Sequence, residues 1–267
     1  AAAGRVVLDG ADVTSLPPEK RRIGLVFQDH ALFPHRRVDQ NIAFGLTQLG
    51  RSARTRRVDE LLELVRLPGV AKRYPHELSG GEQQRIALAR ALAPNPAVVL
   101  LDEPFASLDP SLRDEVRTDV VEALRLRNAA AVLVTHDREE ALALGDRVAV
   151  MSDGRMLQID RPDEVYERPS DRFVATFLGE ASFLPDPQAP DLAMMARPHD
   201  LTVTTGGADR VTARRYLGAA WRYTVERGDG STVDVDVSVG PGAAPMSVGD
   251  TCTVVVDAGH PLHRLPA

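Results

Sequence analysis

The stretch LSGGEQQRIALARALAPNPAVVLLDEPFASLD, residues 78–109, decides how the rest of the chain is interpreted. Its first half predicts a helix, because Ser79 can cap the helix and Glu82, three residues later, completes a capping box. Gly80 and Gly81 lie at the start of this helix. Without Cβ atoms they leave backbone N–H groups open to an anion, which the helix dipole also favours.

The second half of this stretch predicts a buried strand. Residues 97–101 are apolar, follow Pro96 and are too few to form a helix. Asp102 and Glu103 come directly after them. In a parallel sheet these two carboxylates would lie at the carboxyl end of the strand, where such sheets bind ligands. A capped helix and an acidic pair are each ordinary features, and it is their combination in this order that is informative.

Two flanking segments extend the pattern: VFQ at residues 26–28 and VLVTHD at residues 132–137. The chain resembles the ATP-binding subunit of ABC transporters in the order of its motifs. These are LSGGEQQR, a helix, a hydrophobic run, DEP and SLD, together with the two flanks. The resemblance implies an α/β fold with a P-loop NTPase (RecA-like) core and a helical insertion. It also implies ATP and Mg²⁺ as ligands.

The resemblance implies a role for each polar residue at the strand ends. Asp102 would hold Mg²⁺, and Glu103 would orient and activate the attacking water. Gln28 would contact Mg²⁺ or that water, and His136 would contact the γ-phosphate. Asp109 would reach across a subunit interface.

The signature segment, defined as residues 79–83, is implied to bind the nucleotide of the opposite subunit. Closure around ATP would then need a second copy of the chain in a two-fold dimer. The further partners implied are the transmembrane permease subunits and, indirectly, a solute-binding protein. The implied nucleotide-binding residues are Ser79, Gly80, Gly81, Glu82 and Gln83.

Bulk composition restricts the function classes. The net charge of −6 argues against a general nucleic-acid surface, which needs clustered positive charge. The single cysteine, Cys252, cannot form an internal disulfide. The sequence has no apolar run of about 20 residues and no signal peptide pattern. Any association with a membrane must then come through a partner, and the resemblance implies a location at the cytoplasmic face of the cell membrane.

The two lysines are informative by their neighbours. A GxxxxGK[ST] phosphate-binding loop needs a lysine followed by Ser or Thr, whereas Lys20 and Lys72 are each followed by arginine. In the family, this Walker A loop, the strand before it and the helix after it precede a segment like GRVVLDGADVT at residues 4–14. We therefore expect an N-terminally truncated core that exposes apolar sheet surface, binds ATP weakly and is inactive alone.

Local patterns predict the remaining elements of the first part. They indicate strands at residues 5–9 and 23–27, and a mainly helical insertion at about residues 30–95. Four apolar residues mark one helix face in that insertion: Val58, Leu61, Leu62 and Val65. A second helix carries Leu112, Val116, Val120 and Leu124 at four-residue spacing. A buried strand at residues 131–134, a hairpin at residues 148–159 and helices from Pro162 and over residues 172–178 follow.

The composition changes beyond Gly179. Thr, Val and Tyr alternate in short runs between residues 201 and 257, which predicts a small all-β barrel of the OB type. The sequence RPHD at residues 197–200 resembles the entry of the TOBE module that some importers carry. The predicted domains are a truncated ATPase domain at residues 1–179 and a β-barrel regulatory module at residues 180–267.

The favoured function is the motor subunit of an importer for a small solute, such as iron(III), sulfate, a polyamine or a sugar, with preference for an inorganic ion or iron. One alternative is an ABC-type ATPase that does not transport, which the acidic charge and the absence of coiled coils or zinc cysteines disfavour. Another is a remnant in which the β module binds a regulatory ligand.

Overall fold

The computed structural model describes residues 4–186, 188–240, 246–257 and 262–266. Its contacts divide the chain into two compact units, Ala1–Asp137 and Arg138–Ala267. Within the described residues, no helix combines the length and the hydrophobicity that crossing a membrane requires.

The first unit combines a short hairpin, a parallel sheet and several helices. Its strands are β1 (Val7–Leu8), β2 (Ala11–Asp12), β3 (Ile23–Val26), β4 (Val98–Asp102) and β5 (Ala130–Val134). Its α-helices are α1 (Val38–Ile42), α2 (Arg51–Leu64), α3 (Gly80–Leu92) and α4 (Pro110–Leu126). Residues 38–93 are therefore mainly helical, as predicted.

The parallel sheet has β4 at its centre, paired with β3 on one side and β5 on the other. Val99 and Leu101 of β4 are buried, at 0% and 3% exposed, which confirms the predicted buried strand. The C-terminal end of α3 approaches β3 closely. A Cβ atom on Gly24 would lie 2.9 Å from the carbonyl oxygen of Ala91.

The strand predicted at residues 131–134 is present as β5, but the prediction that it is buried is wrong. Val132 and Val134 are 52% and 55% exposed, and Leu25 on the same face of β3 is 40% exposed. The reason is the position of β5 at the edge of a sheet of which one face is exposed in the part of the chain that the structure describes. A hydrophobic run cannot distinguish this arrangement from a strand covered on both faces.

Helix packing follows the predicted apolar faces with one exception. The four residues predicted for α2 and its end are at most 3% exposed: Val58, Leu61, Leu62 and Val65. On α4, Val116, Val120 and Leu124 are buried, but Leu112 is 39% exposed. Successive residues at four-residue spacing rotate by about 40° around a helix with 3.6 residues per turn. The first member of the series therefore leaves the buried stripe.

The second unit begins with one helix, a β-hairpin and two further helices. These are α5 (Arg138–Leu144), β6 (Val148–Ser152), β7 (Arg155–Asp160), α6 (Pro162–Glu167) and α7 (Arg172–Leu178). The hairpin is confirmed: β6 and β7 pair antiparallel, and Asp153 and Gly154 at its turn have φ values of 49° and 73°. The helices predicted from Pro162 and over residues 172–178 are also present.

The rest of the second unit is β-structure. Its strands are β8 (Ser182–Pro185), β9 (Leu192–Ala196), β10 (Leu201–Tyr216), β11 (Ala220–Glu226), β12 (Thr232–Ser238), β13 (Thr251–Val256) and β14 (His263–Pro266). They form an antiparallel sheet in the order β12-β11-β10-β13 and a smaller one in the order β14-β9-β8. Strand β10 is 16 residues long, and its register with β13 shifts between Thr205 and Asp209. The C-terminal part is thus all-β, as predicted, and forms a half-barrel sheet.

Arg197 lies at the centre of the second unit and is 2% exposed. Its guanidinium donates to the carbonyl oxygens of Ala175, Tyr166 and Glu180, at 2.8, 2.9 and 3.2 Å. These bonds join α6 and α7 to the segment that enters the sheet. The contacts thus group the hairpin and both helices with the β-strands in one compact unit. This unit begins at Arg138, earlier in the chain than the predicted limit of 179/180. As a limit between independently folding domains, 179/180 stays a prediction.

Candidate functional site

Asp102 and Glu103 lie at the carboxyl end of the central strand, as the sequence predicts. Asp102 is the last residue of β4, pairs in register with Val134 and is exposed. Glu103 donates its backbone N–H to the carbonyl oxygen of Val134 at 2.9 Å, and its φ is 43°. A non-glycine residue in this left-handed region carries a backbone cost of about 1–3 kcal/mol, and such residues cluster at functional sites.

Glu103 and His136 are brought into contact. The Nδ1 atom of His136 lies 3.2 Å from Oε1 of Glu103, although 33 residues separate them in sequence. The Glu103 side chain is 31% exposed and that of His136 is 73% exposed, so both are accessible to a ligand from solvent. A carboxylate and an imidazole at hydrogen-bond distance can together orient a water molecule and exchange its proton.

Gln28 follows β3 and lies on an exposed turn, which the N–H of His30 closes by donating to the carbonyl oxygen of Phe27 at 2.9 Å. Among the residues that the structure describes, no hydrogen bond joins Gln28 to Asp102, Glu103 or His136. Its assignment to the site stays a prediction.

The segment after Gln28 is held by helix α3. Arg90 donates to the carbonyl oxygens of Ala31 and His30 at 2.7 and 3.1 Å, and both acceptor residues have positive φ. Burial lowers the pKa of Arg90 and also that of His30, which is 7% exposed. The sequence alone offered no signal for this link.

The signature segment starts α3 with the predicted capping box. Ser79 Oγ accepts from the N–H of Glu82 at 3.3 Å, and Glu82 Oε2 accepts from the N–H of Ser79 at 2.7 Å. Gln83 donates to the carbonyl oxygens of Pro75 and Leu78 at 3.1 and 3.2 Å. The side chains of Glu82 and Gln83 thus already have local partners, while Ser79 and Gly80 are exposed.

The two glycines of this segment also serve packing. A Cβ atom on Gly81 would lie 3.0 Å from Cγ2 of Val116, and one on Gly80 would lie 3.7 Å from Cδ2 of Leu108. The N-terminus of α3 therefore packs closely on the start of α4. Gly81 is required by this approach, independently of any anion.

Asp109 is exposed and precedes the first residue of α4. Its backbone carbonyl accepts from Leu112 and Arg113 at 3.0 and 3.1 Å. In the part of the chain that the structure describes, its carboxylate accepts no hydrogen bond. The side chain is therefore available to a partner.

A charged cluster beside the site was not predicted from the sequence. It consists of Arg113, Arg117 and Asp137. Asp137 Oδ2 lies 3.1 Å from Nη2 of Arg117 and 3.8 Å from Nη1 of Arg113. The spacing of the two arginines places them on one face of α4, which was visible in the sequence. Their acceptor, Asp137, lies 20 residues or more further along the chain and could not be identified from the sequence.

Family models match two parts of the chain. A model described as ABC transporter matches residues 1–106, and a model described as TOBE domain matches residues 194–262. The first match includes Gln28, the signature segment, Asp102 and Glu103.

Curated relatives are ATP-binding proteins of import systems. The Fe(3+) ions import ATP-binding protein FbpC of Rhizobium etli is 40% identical over 276 residues, covering 92% of this chain and 78% of the relative. The sulfate/thiosulfate import ATP-binding protein CysA of Nocardia farcinica is 43% identical, covering 87% and 73%. The spermidine/putrescine import ATP-binding protein PotA of Pseudomonas fluorescens is 53% identical, covering 68% and 51%, so the chain spans about half the length of that relative.

A solved structure agrees with these relatives. The dimeric, post-hydrolysis ATP-binding cassette MJ0796 bound to ADP and Pi matches with a TM-score of 0.52 and 30% sequence identity, covering 60% of this chain and 74% of that chain. The chain belongs to the family of ABC transporter ATP-binding proteins.

Proposed function

We propose that this protein is the ATPase motor subunit of an ABC importer, which couples ATP hydrolysis to the uptake of a small solute. The observation that carries the proposal is the 3.2 Å contact between Glu103 and His136 at the carboxyl end of the parallel sheet. Hydrolysis of a phosphoanhydride requires an oriented water, a group that accepts its proton and groups that neutralise phosphate charge. The contact supports the proposal because it brings a carboxylate and an imidazole together, and both would act on that water.

Glu103 is the general base in this proposal. Its carboxylate accepts the proton of the attacking water, and His136 holds the carboxylate and faces the γ-phosphate. The left-handed backbone of Glu103 supports this assignment, because it turns the residue after Asp102 away from the direction that a continuing strand would take. Two successive carboxylates can then have different tasks.

Asp102 is the residue that would hold Mg²⁺. Within the described residues, no cluster of three or more His, Cys, Asp or Glu side chains could hold a metal ion. Mg²⁺ is usually bound by one or two carboxylates together with water and substrate phosphates. The oxygen donors of Asp102 and Gln28 fit that preference. The ion would neutralise phosphate charge when bound.

We also propose a two-fold dimer in which the signature segment contacts the nucleotide of the partner subunit. Ser79, Gly80 and Asp109 are exposed and lie at the N-termini of two helices that pack on each other. The likeness to a cassette solved as a dimer supports this arrangement. Transmembrane permease subunits would hold the dimer at the cytoplasmic face of the membrane, and a solute-binding protein would deliver the solute to them.

The solute class we infer is an inorganic ion, with iron(III) first. Among relatives that align with most of this chain, those named for Fe(3+) and sulfate/thiosulfate import are 40% and 43% identical, whereas one named for spermidine/putrescine import is 37% identical over 96% of the chain. Uptake of radiolabelled iron(III), sulfate and putrescine by cells lacking the gene tests this. Loss of putrescine uptake alone would contradict it.

ATP turnover by the full-length protein tests the ATPase assignment. We expect Glu103→Gln and His136→Ala each to lower kcat by about 10²–10⁴-fold, because each removes a group that acts on the attacking water. Glu122→Gln, an exposed change on α4, is the matched control and should leave kcat unchanged. Equal turnover by all four proteins would refute the assignment.

A further inference from the structure

Two arginines on one face of α4 link three segments of the site. Arg113 and Arg117 lie one helical turn apart, and both guanidinium groups reach Oδ2 of Asp137, at 3.8 and 3.1 Å. Asp137 is the residue directly after His136. Its N–H also donates to Oγ1 of Thr135 at 3.0 Å, which keeps the backbone around His136 in a tight turn.

Arg113 makes a second contact in the opposite direction. Its Nη2 atom donates to the carbonyl oxygen of Leu108 at 3.2 Å. Leu108 lies in the SLD segment, defined as residues 107–109, directly before the exposed Asp109. One guanidinium group thus contacts the segment that carries Asp109 and the segment that carries His136.

Arg117 connects the same turn to the acidic strand end. Its guanidinium carbon lies 6.0 Å from the ring centroid of Phe105, which is 1% exposed and two residues after Glu103. Its Nη1 donates to Asp114 at 3.0 Å. The Arg117 side chain is 14% exposed, so its position is well defined by packing as well as by charge.

His136 itself has little packing to orient it, because its side chain is 73% exposed. An exposed imidazole can adopt several rotamers, and the conformation of the backbone that carries it decides which of them are allowed. The fixed neighbour is Asp137, which two arginines hold from α4.

We propose that Arg113 and Arg117 are positioning residues for His136. They hold Asp137 so that the His136 ring faces Glu103, and through Arg113 this orientation depends on the conformation of the SLD segment. This inference rests on the proposed function, because the orientation of His136 matters only if His136 and Glu103 act in ATP hydrolysis. In the proposed dimer the SLD segment faces the second subunit, so subunit closure would alter the Glu103–His136 contact through Arg113.

A spectroscopic double-mutant cycle tests the proposal without ATP turnover. The full chain has seven histidines, so labelling their imidazole Cε1 atoms gives few NMR signals. His136→Gln identifies the signal of His136. At one fixed pH, Glu103→Gln should shift this signal, because the two side chains are in contact. In the Arg113→Gln/Arg117→Gln background that shift should be at least about fivefold smaller.

The matched control is Arg125→Gln, which removes an exposed arginine from the last turn of the same helix. It should leave the effect of Glu103→Gln unchanged. When Arg117→Lys replaces Arg117→Gln in the double variant, a positive charge toward Asp137 is retained. This change should restore most of the effect of Glu103→Gln on the His136 signal. Unchanged signals from the other histidines would show that each variant is folded. If the double arginine variant fails to fold, Asp137→Ala removes the shared acceptor instead and should have the same result.

An effect of Glu103→Gln that is equally large in the arginine and Asp137 variants would overturn the proposal. That outcome is distinct from failure of the proposed function, which would appear as absence of ATP turnover by the full-length protein while the NMR coupling persists.

Discussion

Arg85 and Asp119 form a buried ion pair that joins helix α3 to helix α4. The Nη1 atom of Arg85 lies 2.6 Å from Oδ2 of Asp119, whose side chain is 3% exposed. The other carboxylate oxygen lies 2.7 Å from Nη1 of Arg66, just beyond the end of α2. One carboxylate thus ties together three helices of the first unit.

We expect Asp119→Ala to lower the free energy of unfolding by about 3–5 kcal/mol, because it leaves the Arg85 guanidinium without its buried partner. Urea denaturation followed by helical circular dichroism measures this. Glu122→Ala is the control: it also removes a partner of Arg66, at 2.6 Å, but its side chain is 47% exposed. Its loss should cost about 0–1 kcal/mol. Similar costs for the two variants would show that burial is not the cause.

Gly24→Ala should destabilise the first unit by about 1–3 kcal/mol through overpacking. The added Cβ atom would lie 2.9 Å from the carbonyl oxygen of Ala91 and 3.3 Å from Cγ of Pro96, so the end of α3 must move. The same denaturation experiment applies. Gly50→Ala, where nothing lies within 4 Å of the added atom, should change stability by about 1 kcal/mol or less. A neutral Gly24→Ala variant would contradict the close approach of α3 to β3.

His30 should make stability dependent on pH. Burial lowers its pKa from 6.5, and the Gln84 amide and Asp29 only partly oppose this. The unfolded chain therefore binds the proton more readily, so stability is full above pH 6.5 and is lost as pH falls through the pKa of the folded state. His30→Leu should reduce the slope of unfolding free energy between pH 7 and pH 5.

The reference for that comparison is His35→Leu, which removes an exposed imidazole from the same loop. Identical slopes for wild type and the His30 variant would show that His30 is not the responsible group.

Arg197→Leu should destabilise the second unit by roughly 3 kcal/mol, because three carbonyl oxygens lose their donor in a buried place. Fluorescence of the single tryptophan, Trp221 on β11, follows unfolding of this unit specifically. Arg197→Lys should fail to restore full stability, since an ammonium group cannot reproduce the planar fork. Arg215→Leu is the control at an exposed site, expected to change stability by about 0.5 kcal/mol or less. A tolerated Arg197→Leu would contradict the structural role.

Local patterns predicted the elements that carry the site. The Ser79 capping box, the strand that ends at Asp102 and the turn at Asp153 each depend on residues close together in sequence, and each is present. Features that depend on distant packing were not predictable in this way. The exposure of Val132 on β5 depends on what covers the sheet, and sequence periodicity does not report that.

The candidate site divides in the same way. The positions of Glu103 and His136 at neighbouring strand ends follow from parallel topology, whereas their contact and the arginines that hold Asp137 required coordinates. Gly81 shows how one residue can have two explanations. Its sequence context suggested anion access, and the structure adds the approach of Val116, 35 residues away.

The bonds of Arg197 have a consequence for how this chain can be divided or recombined. A fragment that starts at residue 180 would keep the arginine but lose the acceptors on Tyr166 and Ala175, so that the guanidinium would retain only the carbonyl oxygen of Glu180 among its three acceptors. An exchange of the β-rich part between relatives would have to carry residues 138–179 with it. The part of the chain that must stay together is therefore larger than the β-rich part alone.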